Sequence, residues 1–266
     1  APARLADRWI LSRLQRAIRK ATRHLEAFDL GMANRALYDF VWSEFCDWYL
    51  EAAKPALRAD DPRTRHTLRV VLRDVLKLLH PLVPCITSEL WETLGYEEQI
   101  ALSSWPTVDE ELLDSEAERS FALLQEAVGA VRNLRAEANL QPSQIVPIVA
   151  TGEGSEVLSG NADVFGLLAR AELKGGEDLG VALTQALSRV ELKLPLTGVV
   201  DVDEWRGRQE KRLAQLEKQA QVSERKLGNP GFVDKAPGHV VEEERRRLEE
   251  SRSLIEGIRA SLEGLG

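Results

Sequence analysis

Two charged segments with a heptad pattern, between residue 199 and residue 266, constrain the fold of this chain more than any other feature. In the first segment, apolar residues recur at helical spacings: Val202, Leu213, Leu216, Ala220 and Leu227. In the second, Val241, Leu248, Ile255 and Leu262 recur every seven residues, with Ile258 and Leu265 at intervening positions. Such spacing builds one narrow apolar stripe on each helix, as a coiled coil requires. Gly228, Asn229, Pro230 and Gly231 cannot continue a helix, and Pro237 suits the start of the next one. The sequence therefore predicts an antiparallel two-helix hairpin, called the arm below.

Polar residues also occupy stripe positions of the arm. They are Arg206, Gln209 and Ser223 in the first helix, and Glu244 and Ser251 in the second. Buried polar residues weaken a coiled coil between chains, so they favour a short intramolecular hairpin and a monomeric protein. The alternative, a structural coiled coil that oligomerises the protein and binds no RNA, remains open from the pattern alone.

The first 108 residues carry helical patterns separated by short breaks. The patterns predict helices over residues 2–28, 34–53, 62–80 and 85–95. A turn is expected at residues 29–34, and Lys54-Pro55 is expected to end the second helix. Asp61-Pro62 has the composition of a helix start. These features predict an antiparallel helix bundle over residues 1–108.

The middle of the chain changes period. An acidic helix is predicted at about 114–138, followed by short strand-like segments at 145–150, 171–174, 181–183 and 190–194, with a helix over 155–169. Residues 109–198 are therefore predicted to form a small α/β connecting module, which leads to the arm at residues 199–266. The fold class is mainly α.

Charge is distributed unevenly along the chain, whose net charge is −8. Residues 1–80 contain 15 Lys and Arg against 10 Asp and Glu, whereas residues 81–200 contain 7 against 19. A basic region beside an acidic one can orient a polyanion, although an ordinary solvated helix face has the same composition.

Several classes of protein are disfavoured by what the sequence lacks. No apolar run is long enough to span a membrane, and the N-terminal residues do not have the pattern of a signal peptide, so we expect a cytoplasmic protein with no membrane partner. Cys46 and Cys85 are expected to be buried, and the four scattered histidines predict no metal site. No residues are spaced for catalysis, which favours a binding and positioning module without a cofactor of its own.

Two groups of residues are candidates for binding a nucleic acid. The bundle candidates are Arg4, Arg8, Arg35, Arg63 and Arg65, and the arm candidates are Arg225, Lys226, Phe232, Lys235 and Arg246. Arginine and lysine contact phosphates, and an exposed aromatic ring stacks on an unpaired base. The other interpretation of Phe232 is that it packs against the hairpin and closes the turn. Trp42, Phe45, Trp48 and Tyr49 have helical spacing and are expected in the core.

Four segments resemble a known family. They are NRALYDFVWSEFCDWYLEAAK at 34–54, LHPLVPCITSELW at 79–91, RNLRAEANL at 132–140 and KLGNPGFVDKAP at 226–237. The first two resemble the anticodon-binding bundle of the class I aminoacyl-tRNA synthetases for valine, isoleucine and leucine. The last two are similar to the connecting segment and the C-terminal arm of the valyl-tRNA synthetase family.

The resemblance implies a C-terminal portion of such an enzyme. The bundle would hold the anticodon stem-loop, and the arm would contact the outer corner of a valine-specific tRNA. The ATP-binding motifs of the class, His-x-Gly-His and Lys-Met-Ser-Lys-Ser, do not occur in this sequence. The resemblance therefore implies that activation of valine with ATP and Mg²⁺ belongs to the remainder of the synthetase chain. The expected partners of this chain are thus the tRNA and that remainder.

Overall fold

Helices form most of the protein. The computed structural model describes residues 4–176, 180–233 and 236–263, and the side chains of Ala260, Ser261 and Glu263 lie outside this description. Two compact units are present: Ala1–Gly129 with Glu153–Ala171, and Ala130–Gly152 with Glu172–Gly266. The mainly α fold with a small α/β module is confirmed, whereas the boundaries of the three predicted domains remain a prediction.

The first unit is built from helices joined by short connections. Its elements are α1 (Leu5–Glu26), α2 (Leu30–Tyr38), a π-helical segment (Asp39–Tyr49), α3 (Leu50–Arg58), α4 (Pro62–Leu79), α5 (Pro84–Thr93), the first part of α6 (Ser115–Glu137), α7 (Ser155–Ser159) and α8 (Ala162–Ala169). Short 3₁₀ turns lie at Ile100–Leu102 and Glu110–Leu112. The core contains Trp9 stacked on Phe121, with ring centroids 3.9 Å apart, and Trp48 meets Phe121 edge-on.

Two predicted breaks of the bundle are wrong. A helix begins at Leu30, where a turn was expected, because the Asp29 carboxylate accepts a hydrogen bond from the Met32 amide and caps it. Pro55 lies inside α3, which continues to Arg58. Ala52, Ala53 and Ala56 are fully buried there, and this packing offsets the one backbone hydrogen bond that proline removes.

Two side-chain expectations are also corrected. Trp42 is 56% exposed. The buried residues of its segment are Phe40, Phe45 and Tyr49, at intervals of five and four, wider than the α-helical period because the backbone is π-helical. Cys85 is exposed, because α5 turns Thr87 and Trp91 inward instead, and Cys46 is half-buried.

The second unit contains the sheet and the arm. Strands β1 (Val146–Thr151), β2 (Ala171–Leu173), β3 (Ala182–Ala186) and β4 (Glu191–Pro195) are ordered β2-β1-β4-β3. Strand β4 pairs antiparallel with β1 and with β3, so β3 is an edge strand. Leu192 and Leu194 of β4 are fully buried, as expected of alternate positions on one face.

The arm is the predicted antiparallel hairpin. It consists of α9 (Val202–Leu227), the short α10 (Pro230–Val233) and α11 (Gly238–Glu263). Ala220, Val241, Ile255 and Ile258 are buried along its seam. At the root, Trp205 is buried and Arg206 is exposed, so the tryptophan occupies the stripe position expected of the arginine.

Candidate nucleic-acid interface

Most arginines of α1 are paired with carboxylates of the acidic segment. Arg8 donates to Asp114 at 2.7 Å, Arg16 donates to Glu118 at 2.7 Å, and Arg19 donates to Glu110 at 2.5 Å. Burial opposes the ionisation of Glu118, but hydrogen bonds from Arg16 and Ser12 outweigh it and lower the pKa of this carboxyl. Acidic residues of the middle segment therefore neutralise part of the positive charge of α1 inside the first unit.

The five predicted arginines of the bundle differ in whether they have a carboxylate partner. Four have carboxylate partners: Arg4 with Asp163 at 2.6 Å, Arg8 with Asp114, Arg63 with Asp61 at 3.2 Å, and Arg65 with Asp60. Arg35 alone of the five is exposed without an ion pair or a side-chain hydrogen bond among the described residues. Hence Arg35 is the strongest phosphate-binding candidate of this group.

An exposed aromatic face adjoins Arg35. Tyr38 is 58% exposed, and its ring stacks on that of Trp42, with centroids 6.2 Å apart and planes 7° apart. Arg35 precedes Tyr38 by three residues, so both lie on one side of α2. We call Arg35, Tyr38 and Trp42 the aromatic face. Sequence reasoning missed it, because an α-helical period places Trp42 with the core aromatics.

Apolar side chains are also exposed in the connection that leads into α2 and in the first turn of that helix. Phe28 is 90% exposed, and Leu30 and Met32 are exposed as well. Phe28 has a left-handed backbone with a φ of 56°, and its amide donates to the Leu25 carbonyl at the end of α1. A surface that combines an arginine with exposed apolar and aromatic side chains suits a single-stranded nucleic acid. Its unpaired bases stack on the rings, and its phosphates bind the arginine.

The tip of the arm presents the second candidate surface. Arg225 lies in the last turn of α9, is exposed, and has no side-chain partner among the described residues. Lys226 pairs with Glu244 at 3.3 Å, and Arg246 pairs with Glu250 at 3.6 Å. Phe232 is half-buried in α10, and Lys235 lies outside the described residues.

A buried polar layer holds the seam below the tip. Ser223 donates to the Glu244 carboxylate at 2.7 Å, and both residues are buried. The hydrogen bond from Ser223 is the largest cause of a lowered pKa at Glu244, and Lys226 lowers it further. Because Lys226 is partly occupied in this layer, Arg225 is the cation of the α9 end that is available to a phosphate.

The described residues show neither a metal-binding cluster nor a helix able to cross a membrane. No group of His, Cys, Asp or Glu there is arranged to hold a metal ion. None of the described helices combines the length and the apolar composition that crossing a membrane requires.

Comparison with known families assigns the chain to one of them. Residues 7–150 match the family described as the anticodon-binding domain of tRNA ligase. This match covers more than half of the chain, and the chain therefore belongs to that family. Residues 201–266 match a second family, the valyl tRNA synthetase tRNA binding arm. The resemblance identified from the sequence is confirmed by both matches.

Three similar proteins are all valine–tRNA ligases. The valine–tRNA ligase of Thermus thermophilus is 51% identical over 244 residues, which are 92% of this chain and 28% of that protein. The valine–tRNA ligase of Deinococcus radiodurans is 47% identical, with 92% and 27% covered. That of Bacillus subtilis is 38% identical, with 91% and 29% covered. The chain thus spans little more than a quarter of the length of these relatives.

Proposed function

We propose that this chain is the tRNA-binding and tRNA-positioning region of a valine–tRNA ligase, the class I enzyme that attaches valine to its tRNA with ATP. The family matches at both ends of the chain and the names of its relatives support this assignment. The exposed aromatic face carries the proposal structurally, because it offers rings and a cation on a domain of the anticodon-binding family. Activation of valine, with ATP and Mg²⁺, belongs to the remainder of the synthetase polypeptide.

The finer parts of the proposal concern the RNA and the setting. The RNA is a tRNA specific for valine, and the protein acts in the cytoplasm as a monomer. The bundle (1–108) holds the anticodon stem-loop, the connecting module (109–198) follows, and the arm (199–266) contacts the outer corner of the tRNA. Two linked contacts raise affinity through effective concentration when both fit one RNA.

At the anticodon end, we assign stacking to Trp42 and Tyr38, and phosphate binding to Arg35. The first test replaces Trp42 by Ala and measures binding of a valine anticodon stem-loop by fluorescence anisotropy. Stacking of one base contributes about 1–3 kcal/mol, so we expect affinity to fall about tenfold or more. Leu102→Ala removes a side chain that is 71% exposed and is the matched control, expected to bind as the parent does. Equal affinities for the parent and for Trp42→Ala contradict the assignment of this face.

At the arm, Arg225 is assigned to a phosphate. Loss of one such contact reduces the slope of log K against log salt by about 0.7–0.9, so Arg225→Gln should flatten the slope for full-length tRNA. Arg252→Gln is the control, because Arg252 already donates to Glu224 at 2.8 Å.

Truncation of the whole arm tests the two-contact arrangement. A chain that ends at Gly198 should lose affinity for valine tRNA and for an anticodon-swapped transcript alike. The anticodon swap should weaken binding by the full chain and by the truncated chain. If neither truncation nor swap changes binding, the two-contact mechanism is wrong.

A further inference from the structure

A cavity of about 910 Å³ lies at the root of the arm, within the second unit. Its walls come from the last turns of α6, from β3 and from the facing sides of α9 and α11. This volume lies within the range of about 300–1,000 Å³ that is usual for ligand sites. The cavity is separate from the aromatic face and from the tip, and neither family match explains it.

A buried amide with an unused oxygen lines the cavity. Gln209 is 5% exposed, and its Nε2 donates to the Glu137 carbonyl at 3.4 Å. A carbonyl only accepts hydrogen bonds, so this contact fixes Oε1 as the acceptor that is left over. Oε1 has no hydrogen-bond partner among the described residues. Trp205, buried one turn earlier, donates to the same carbonyl at 3.3 Å and holds α9 in this position.

The edge strand β3 offers further donors and acceptors. The Leu196 amide donates to the Val181 carbonyl, and hydrogen bonding alternates along an antiparallel ladder, so Leu183 faces β4. Ala182 and Thr184 therefore turn their amides and carbonyls toward the open edge. The consecutive residues 182–185 of β3 all line the cavity, although their side chains point alternately to the two faces of the sheet. The strand therefore borders the cavity with its open edge.

The remaining walls provide an apolar surface and a cation. Leu254 of α11 is 47% exposed, and a Cβ added at Gly257 would meet no atom within 4 Å apart from the adjoining backbone of its own helix. Arg212, one turn beyond Gln209, lines the cavity and has no side-chain partner among the described residues. An apolar wall with free space beside it accepts a planar ring.

We propose that this cavity binds one unpaired nucleobase of the tRNA, an inference that rests on the proposed function. Each base has apolar faces and N–H donors on an edge, and a phosphate follows it along the chain. The Gln209 oxygen accepts from a base N–H, the Thr184 backbone bonds another edge atom, and the ring lies against Leu254 and Gly257. Arg212 binds the adjoining phosphate. An added peptide strand fits less well, because only two outward positions of β3 border the cavity and a peptide backbone has no anion for Arg212.

The test fills the cavity and measures binding of full-length valine tRNA to the whole chain. Gly257→Leu places a side chain where the base would lie, and we expect affinity to fall about tenfold, the effect of losing one stacked base. Gly207→Leu makes the same change in α9, away from the cavity, and should bind as the parent does. Both changes favour helix, so thermal melting should show no loss of stability in either variant. Equal tRNA affinities of the Gly257→Leu and Gly207→Leu proteins overturn the proposal and leave a cavity that holds water only.

A second measurement locates the base. A benzophenone amino acid at Leu254 should crosslink to one unpaired nucleotide, mapped by primer extension, and Gln209→Leu should weaken that crosslink. No crosslink, or crosslinks spread over a helical stem, overturns the proposal.

Failure of the proposed function is distinguishable from failure of the cavity assignment. If Trp42→Ala, Arg225→Gln and truncation at Gly198 all leave tRNA binding unchanged, the proposed function itself fails. If those changes weaken binding but Gly257→Leu does not, only the cavity assignment fails.

Discussion

Asp7 is a buried carboxylate that joins three helical segments of the bundle. It accepts hydrogen bonds from the Tyr49 hydroxyl and from Thr64 Oγ1, both at 2.7 Å, and is 2% exposed. Burial, and then the charge of Asp7, raise the pKa of the Tyr49 phenol, so it stays protonated and donates. These contacts link α1, the π-helical segment and α4.

Replacement of Asp7 by Ala leaves two buried hydroxyls without their acceptor. Each unsatisfied buried group costs about 1–3 kcal/mol, so we expect the free energy of unfolding to fall by about 2–4 kcal/mol. Urea denaturation followed by circular dichroism measures the change. Asp47→Ala removes an exposed carboxylate and should shift the midpoint little. Matching midpoints for Asp7→Ala and the parent contradict this role of Asp7.

The seam of the arm contains the Ser223–Glu244–Lys226 layer between α9 and α11. Because its hydrogen bonds lower the pKa of Glu244 below the ordinary 4.5, the folded state binds this proton less tightly than the unfolded state does. The stability from this carboxylate is therefore present above pH 4.5 and is lost as the pH falls through the lower, folded pKa.

We therefore expect Glu244→Gln to melt at a lower temperature than the parent at pH 7, and this difference to shrink below pH 4.5. Thermal melts of both proteins at several pH values measure it. Glu250→Gln, at a largely exposed position, controls for the loss of one charge. A melting difference for Glu244→Gln that stays constant from pH 7 into the acid range contradicts the assigned contribution.

Within the first unit, carboxylates pair with most of the arginines of α1. Glu118 accepts from Ser12, Arg13 and Arg16, and it is the acceptor that these three residues share. Under the proposed function, internal neutralisation of this kind would leave the exposed Arg35 for a defined contact and would reduce non-specific attraction of other polyanions.

Glu118→Gln should release part of this restraint. We expect tighter binding of any RNA, with a steeper dependence on salt, because freed arginines displace more counterions. Stability should fall by about 1–2 kcal/mol with the loss of charge-assisted hydrogen bonds. Anisotropy with a non-cognate stem-loop at several salt concentrations measures the first effect, and Glu111→Gln, an exposed acidic position, is the control. An unchanged salt slope contradicts this role of the α1–α6 pairs.

Local patterns in the sequence determined the elements of this protein. The heptad seam and the Gly-Asn-Pro-Gly break predict the arm, since two narrow apolar stripes joined by a short break can be buried against each other within one chain. Alternation and turn residues predict the four strands, and helical periods predict most of the bundle. The resemblance of the quoted segments also predicted the family, and both family matches confirm it.

Tertiary structure alone decided which charges and rings remain available. Arg4 and Arg35 look alike in sequence, yet Asp163, far along the chain, neutralises only Arg4. Trp42 faces outward because the backbone around it is π-helical, and an α-helical reading assigns it to the core. Gln209 has its amide nitrogen occupied and its oxygen free only because Glu137 lies beside it. Such outcomes depend on which distant groups meet, and periodicity along the chain does not contain that information.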